Sequence, residues 1–429
     1  MFPQRPVRDP AADLALAAVS PARSRRIRGR CLGPLIAMGP LIAMGPLIAM
    51  GPLIAISVVV ASAVSGSSSP AAEPQRATRV AIRGEAFLIN GRPTYEGRVW
   101  QGHPVEGLLM NSRMVQGVFD DLNPETAHLW DYPDGPWDPD RNTDEFVAAM
   151  PEWRQHGLLC AVVNLQGGSP TGYGNQGWHN SAIESDGSLR QDYLGRLERI
   201  LDRADDLGMV IMLGVFYFGQ DQRLADEEAV KRAVENTVDW IADRGYTNVL
   251  LEIANEHNAG AYRHAIIRER PEALIELARR RAKMRGLDLP VSVSLTGGQI
   301  PSQAVVDASD YILLHGNGVK DPRRMVAMVG QVRSMAGPNP KPIVNNEDDR
   351  PWTRRGLGPN QQPQGWDTTG TENNLVACVR NYASWGYFDW RQEGEGYDEG
   401  YQSVPVNWRI SSDRKGAFFD AVAEITGSR

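Results

Sequence analysis

The sequence predicts an α/β fold, a (β/α)8 barrel with a small N-terminal β-hairpin, preceded by a signal or leader segment. Three observations predict it. Two short apolar runs stop abruptly on acids: Val249-Leu250-Leu251-Glu252-Ile253-Ala254-Asn255-Glu256 and Pro342-Ile343-Val344-Asn345-Asn346-Glu347. Such a run reads as a strand buried on both faces that delivers polar side chains at its carboxyl end. The two closing Glu residues stand 91 positions apart, close to three strand–helix units of roughly 31 residues in an eight-fold barrel. Finally, a glycine precedes a short apolar run six times, at Gly157, Gly208, Gly245, Gly286, Gly337 and Gly386. Glycine just past a helix end adopts the left-handed conformation that closes the helix, so six such junctions imply alternating helices and strands.

Residues 1–66 differ from the rest of the 429-residue chain. Arg23, Arg25, Arg26, Arg28 and Arg30 form a basic segment, followed by the hexapeptide Gly33-Pro34-Leu35-Ile36-Ala37-Met38, its copies at 39–44 and 45–50, and a variant at 51–56. Ala61-Ser62-Ala63 then gives a small-residue cleavage site. Basic, apolar and small-residue regions in that order are a secretory signal peptide, so the protein is expected to be exported, periplasmic or extracellular. The rival is a retained membrane anchor, because the apolar run exceeds ~20 residues. A proline every sixth residue argues against a straight spanning helix. Residues 67–77, rich in Ser, Pro, Ala and Glu, read as a linker, and 78–429 as the barrel.

The chain carries a net charge of −7, and the leader contributes seven Arg and two Asp, which leaves −12 on the remainder. That excess of acid disfavours nucleic acid and anionic membrane surfaces as partners; a membrane association is expected only if the leader is retained. Cys31 belongs to the leader; Cys160 and Cys378 each sit in an apolar, element-like segment. They read as two buried thiols, with a disulfide the alternative in an exported protein. No Cys/His spacing suits a metal, and no Gly-x-Gly-x-x-Gly turn follows the first strand, which sets aside a doubly wound nucleotide-binding sheet. Neither cofactor nor metal is expected.

After the linker, Val80-Ala81-Ile82 and Phe87-Leu88-Ile89 with the turn Asn90-Gly91 predict a hairpin region able to plug the amino-terminal end of a barrel. Met114–Phe119 is the first-strand candidate and Tyr311–Leu314 the sixth; with the six runs after the glycines this makes eight. Segments 188–207, 226–244 and 321–336 have apolar residues at helical spacing and charged outer faces.

Chemistry in such a barrel resides at the carboxyl ends of the strands. In order these carry Asp120 and Asp121, Asn164 and Gln166, Tyr217 and Gln220, Asn255 and Glu256, Thr296, His315 and Asn317, Glu347 and Asp348, and Trp390 with Gln392. Acids, amides and aromatics form a palette for polyols, whose hydroxyls meet amides and acids and whose C–H faces meet indoles. Strand alternation aims Asp348 away from Glu347's side. Glu252 is expected to be buried with a partner one turn below Glu256. Trp130, Trp137, Trp178 and Trp366 fall in Gly/Pro/Asp-rich loops suited to outer subsites, and the loop 165–180, with Tyr173, is the expected shaper of a cleft.

Leu251-Glu252-Ile253-Ala254-Asn255-Glu256 resembles the fourth-strand signature of clan A glycoside hydrolases, the retaining barrel enzymes that include family 5 cellulases and mannanases. Glu347 after an apolar seventh strand resembles their nucleophile and Trp390 their sugar-platform tryptophan. The resemblance implies Glu256 as acid/base, Asn255 as ligand of the sugar 2-hydroxyl and Glu347 as nucleophile. His315, Tyr217, Asn164, Asp120 and Asp121 are the further substrate-binding candidates. Family 5 members usually place an Arg near strand two and a His after strand three, where this sequence has Asn164 and Tyr217; strand six ends His315-Gly316-Asn317, where His-x-Tyr is common. The expectation is therefore a glycosidase cleaving a poly- or oligosaccharide with retention. A non-catalytic carbohydrate-binding barrel is the alternative. Retention requires the two carboxyls about 5–5.5 Å apart and inversion roughly 6.5–9.5 Å.

Overall fold

The computed structural model describes residues 76–167, 177–348, 373–391 and 394–428. The leader, the linker up to residue 75, Tyr173, Trp366, Gln392 and most of the loops 165–180 and 348–372 lie outside the described residues. Among the described residues no helix is long and apolar enough to cross a membrane.

The first element is an antiparallel sheet of β1 (Val80–Arg83), β2 (Ala86–Ile89) and β3 (Arg92–Pro93). Asn90 and Gly91 join β2 to β3 with positive φ at both, 54° and 78°, the turn whose twist matches the flanking strands. A ribbon of β4 (Val99–Trp100) and β5 (His103–Pro104) follows. Eight parallel strands then build the barrel: β6 (Asn111–Arg113), β7 (Cys160–Asn164), β8 (Val210–Phe216), β9 (Val249–Ala254), β10 (Val291–Ser292), β11 (Ile312–His315), β12 (Ile343–Asp348) and β13 (Ser384–Tyr387). Neighbours pair in chain order, and β13 pairs β6. The remaining seam, between β10 and β11, has no ladder but is crossed by Asp310 N–H to Val291 O and Gly298 N–H to His315 O, both 2.9 Å.

Helices alternate with these strands: α1 (Pro139–Gln155), α2 (Gln191–Leu207), α3 (Glu227–Asp243), the short α4 (Ala265–Glu269), α5 (Pro271–Met284), α6 (Gln303–Ala308), α7 (Pro322–Ala336), α8 (Asn374–Arg380) and α9 (Asp413–Thr426). The expected helices at 188–207, 226–244 and 321–336 are α2, α3 and α7. Asp138, Asp226, Ser302, Asp321, Asn373 and Ser412 cap their helices by accepting from backbone N–H groups, which satisfies donors the first turn leaves free.

Two expectations need correction. The first barrel strand is Asn111–Arg113, not Met114–Phe119. Met114, Val115, Val118 and Phe119 are buried, but in the turn beyond the strand, so their apolarity marks a packed loop. Of the six glycines, five have positive φ, whereas Gly386 lies inside β13. A Cβ there would come 2.0 Å from Asn111 Oδ1, so this glycine makes room for a neighbouring side chain. The left-handed residue before β13 is Tyr382, at φ 51°.

Alternation along the strands divides the core. Ala161, Val163, Ile211, Leu213, Leu251, Ile253 and Leu314 pack outward against helices. Cys160, Val162, Val210, Met212, Leu250, Leu313 and Val344 face the lumen, where Val80 and Phe87 of the N-terminal sheet join them. Phe87 meets Tyr311 edge-on at 6.2 Å, so the hairpin closes the amino-terminal end as expected. Cys160 and Cys378 are free, buried thiols in different clusters. Phe87→Ala should lower unfolding free energy by about 3–5 kcal/mol in a denaturant titration; a loss well under 1 kcal/mol would mean that the plug contributes little to barrel stability.

Candidate active site

At the carboxyl end the lumen changes from apolar to polar. Arg113 at the end of β6 is completely buried. Its Nε lies 2.7 Å from Glu347 Oε2, and its Nη2 donates to Asn255 Oδ1 at 2.8 Å. Burial acts to lower its pKa, but the charges of Glu347, Glu252 and Glu256, with Tyr217, outweigh it and raise the value.

Glu256 follows β9 in a left-handed backbone, φ 48°, a region non-glycine residues seldom occupy. Its N–H is fixed to Ser294 Oγ at 2.9 Å, and its Oε1 lies 3.0 Å from His315 Nδ1. Glu347 reaches the same place by a β-bulge. On β11, Leu314 pairs with Asn345 and His315 with Glu347; on β13, Trp385 pairs with Asn345 and Tyr387 with Asp348. One extra residue on β12 breaks the alternation. Asn346 therefore points inward, with Nδ2 3.4 Å from Glu252 Oε2, and Glu347 points inward as well. Asp348 turns out, accepting Trp385 Nε1–H at 2.9 Å.

Glu256, His315 and Glu347 each offer a ligand-type atom, all within 4.8 Å of one another. His315 Nδ1 is also 3.6 Å from Glu347 Oε2. Burial pulls the His315 pKa down, but Glu347 and the hydrogen bond to Glu256 prevail and raise it above the ordinary value. Cys and His spacing along the chain offers no metal set, yet folding assembles a Glu–His–Glu trio with donor atoms that could ligate a cation. The Arg113 guanidinium already pairs with one of these carboxylates, so a dication there would meet a fixed positive charge.

The other candidates fall into two groups. Asn255 joins the pair through Arg113, and its Nδ2 is buried without a hydrogen-bond partner. Asn164 is buried over Gly214, whose added Cβ would lie 2.2 Å from Asn164 Oδ1; neither of its amide atoms has a partner. Tyr217 is buried, stacked on Phe218 at 4.4 Å. Trp390 is half-buried beside Phe388 at 5.1 Å, one residue beyond Asp389, which pairs with Arg414 of α9 at 3.1 Å.

Asp121 belongs elsewhere. Its carboxylate accepts from Trp130 Nε1 (2.8 Å), Thr126 Oγ1 (2.6 Å) and the backbone N–H groups of Asn123 and His179, so it organises a loop and leaves no oxygen for a ligand. Asp120 accepts Trp137 Nε1–H at 3.2 Å. Trp130 and Trp178 are buried in one cluster with Phe119 and Val404, and Trp137 packs against it. Those rings hold loops together rather than standing free as platforms. Gln166 and Gln220 are likewise spent on backbone groups of Tyr217 and Asn180. Glu252 is fully buried with partners, as expected. Sequence reasoning missed Arg113 and Ser294. Gly107-Leu108-Leu109-Met110-Asn111-Ser112-Arg113 carries the apolar-then-polar signature that marked the fourth and seventh strands, so the signal for Arg113 was present.

Two outcomes follow from this geometry. Arg113→Met leaves buried carboxylates without their cation and should cost about 3–5 kcal/mol of stability by chemical denaturation; a neutral effect would contradict the ion pair. For His315 the folded pKa is raised, so its stabilising contribution is full below the ordinary value of 6.5 and is lost as pH rises through the higher folded value. The Tm advantage of wild type over His315→Asn should therefore shrink as pH rises above 6.5; a gap constant with pH would contradict it.

No protein-family model matches this chain, and no curated protein matches it in sequence. Among solved structures it is similar to a glycoside hydrolase family 5 structure from Bacteroides vulgatus ATCC 8482, with a TM-score of 0.48, 14% identity, and coverage of 76% of this chain and 69% of that one. It is similar also to a glycoside hydrolase family 5 mannosidase from Rhizomucor miehei (0.47, 14%, 82% and 98%). A GH5-4 broad specificity endoglucanase from Bacteroides salanitronis gives 0.49, 12%, 75% and 92%. At such identities and TM-scores these likenesses assign no role to any residue of this chain.

Proposed function

We propose that this chain is a glycoside hydrolase that cleaves O-glycosidic bonds of a poly- or oligosaccharide with retention, exported by way of its leader. The observation that supports this most is the pair of acids from β9 and β12, with oxygens of Glu256 and Glu347 within 4.8 Å of each other. Oxygens this near support the roughly 5–5.5 Å carboxyl separation of a retaining pair better than the 6.5–9.5 Å of an inverting one.

In this reading Glu347, faced by Arg113 and by the Asn317 amide that donates to its Oε1, is the nucleophile. Its oxygen bonds to the anomeric carbon as the bond from that carbon to the leaving oxygen breaks, and Glu256 gives that oxygen its proton. Glu256, now ionised, takes a proton from water; the water oxygen bonds to the anomeric carbon and the ester to Glu347 breaks. His315, beside both acids, orients Glu256. Asn255, held by Arg113, presents its unpartnered Nδ2 to a sugar hydroxyl, and Trp390 offers an apolar face to the ring.

A panel of aryl glycosides tests the reading. Glu347→Ala should lose at least about a thousandfold in kcat. Glu256→Ala should retain turnover of substrates with activated leaving groups and be accelerated by azide, which needs no base catalyst. Wild-type protein that binds glycans but turns over none would favour the carbohydrate-binding alternative.

A further inference from the structure

Beneath the proposed acid pair lies a third carboxyl. Glu252 is completely buried on β9, and its two oxygens are used in two directions. Oε1 accepts the Ser294 hydroxyl at 2.5 Å, and the same hydroxyl oxygen accepts the Glu256 N–H at 2.9 Å. The single Ser294 proton is thus committed to Glu252, which turns the lone pairs of Oγ toward Glu256. The residue so held has the left-handed backbone, φ 48°, which an L side chain keeps only when its surroundings impose it. Oε2 faces Asn346 Nδ2 at 3.4 Å, and Asn346 is the inward residue of the bulge that directs Glu347 into the lumen.

We propose that Glu252 is a positioning residue that fixes the acid/base through Ser294 and the nucleophile through Asn346, and thereby sets the distance between them. The proposal rests on the retaining-glycosidase reading. It explains why an acid stands here rather than an amide: a carboxylate accepts at both oxygens, whereas glutamine accepts at one and donates at the other. Burial raises the Glu252 pKa; Arg113, His315 and the Ser294 hydrogen bond oppose that rise, and the Glu347 charge adds to it. The groups that face it are therefore those of the proposed catalytic centre itself. A purely structural partner of Arg113 would not need Ser294 and Asn346 on opposite oxygens.

The test compares Ser294→Ala, Asn346→Ala and Glu252→Gln with wild type on two glycosides of one sugar, one with a dinitrophenyl leaving group and one with an alkyl leaving group. Departure of dinitrophenolate needs no proton, so kcat/KM for that substrate reports the nucleophile alone, while the alkyl glycoside also requires the acid. Ser294→Ala frees only the Glu256 arm. Its kcat/KM should fall about 100-fold on the alkyl glycoside and stay within about threefold on the dinitrophenyl one, where kcat and KM fall together because hydrolysis of the ester still needs Glu256 as base. Asn346→Ala should lower kcat/KM on both substrates by similar factors, and Glu252→Gln, which loosens both arms, should lower it on both and more on the alkyl glycoside. Unchanged kcat/KM in all three variants, with melting curves like wild type, overturns the proposal. So does a loss in Ser294→Ala that is equal for both leaving groups, the mark of a generally loosened barrel. Failure of the underlying reading has a different signature: wild type itself turns over neither glycoside. A crystal structure of Ser294→Ala gives a readout free of activity, since the proposal expects Glu256 to leave its left-handed backbone, and an unchanged φ counts against it.

Discussion

A guanidinium with no access to water dictates the arrangement of this site. Arg113 is buried at the centre of the barrel's carboxyl end, where an unpaired charge would be prohibitively costly. Its Nε takes Glu347 and its Nη2 takes Asn255, so one side chain from β6 ties together the ends of β9 and β12. Charge holds the pairing with Glu347, and the Nη2 hydrogen bond fixes the direction of the Asn255 amide. Asn255 Oδ1 is committed to Arg113, which turns Nδ2 away, and that donor is buried without a hydrogen-bond partner.

The barrel divides its interior along its axis. At the amino-terminal end Phe87, Val80, Leu250, Val210 and Tyr311 make an apolar floor. Asn111, Asn164, Glu252 and Asn346 add amides and a carboxyl to the lumen, and Asn111 and Asn164 fit only because Gly386 and Gly214 face them. The apolar floor is where burial stabilises the fold. The polar layer contributes direction, because hydrogen bonds in a low dielectric hold their partners firmly and leave few alternative arrangements. Beside these groups stand Glu256, whose N–H is held by Ser294 Oγ, and Glu347, which follows Asn346.

Much of this was legible in the chain. The rhythm of glycine and short apolar run located five of the eight strands and the run Tyr311–Leu314 a sixth, whereas β13 ends at Tyr387, where the run expected after Gly386 begins; the acids closing Val249–Glu256 and Pro342–Glu347 are the two that meet. The rest was hidden for physical reasons. Asn111-Ser112-Arg113 is a strand whose inward positions serve the polar layer, so a search for apolar residues passed over it to Met114–Phe119. Gly386 looked like the other glycines because sequence does not distinguish a helix terminus from a missing side chain. The bulge in β12 has no local marker in Asn345-Asn346-Glu347-Asp348; only the pairing of both neighbouring strands reveals it. Asp121 and the loop tryptophans resemble ligand-binding residues in composition, but Trp130 needs an acceptor for its indole N–H and Asp121 provides it.

The short separation of Glu256 and Glu347 is the centre of the account, and stereochemistry reports on it directly. Proton NMR of the first-formed sugar, recorded before mutarotation on any aryl glycoside the protein hydrolyses, gives the anomeric configuration of the product. Attack by Glu347 yields the configuration of the substrate; the opposite configuration would mean that water, and not Glu347, attacks the anomeric carbon.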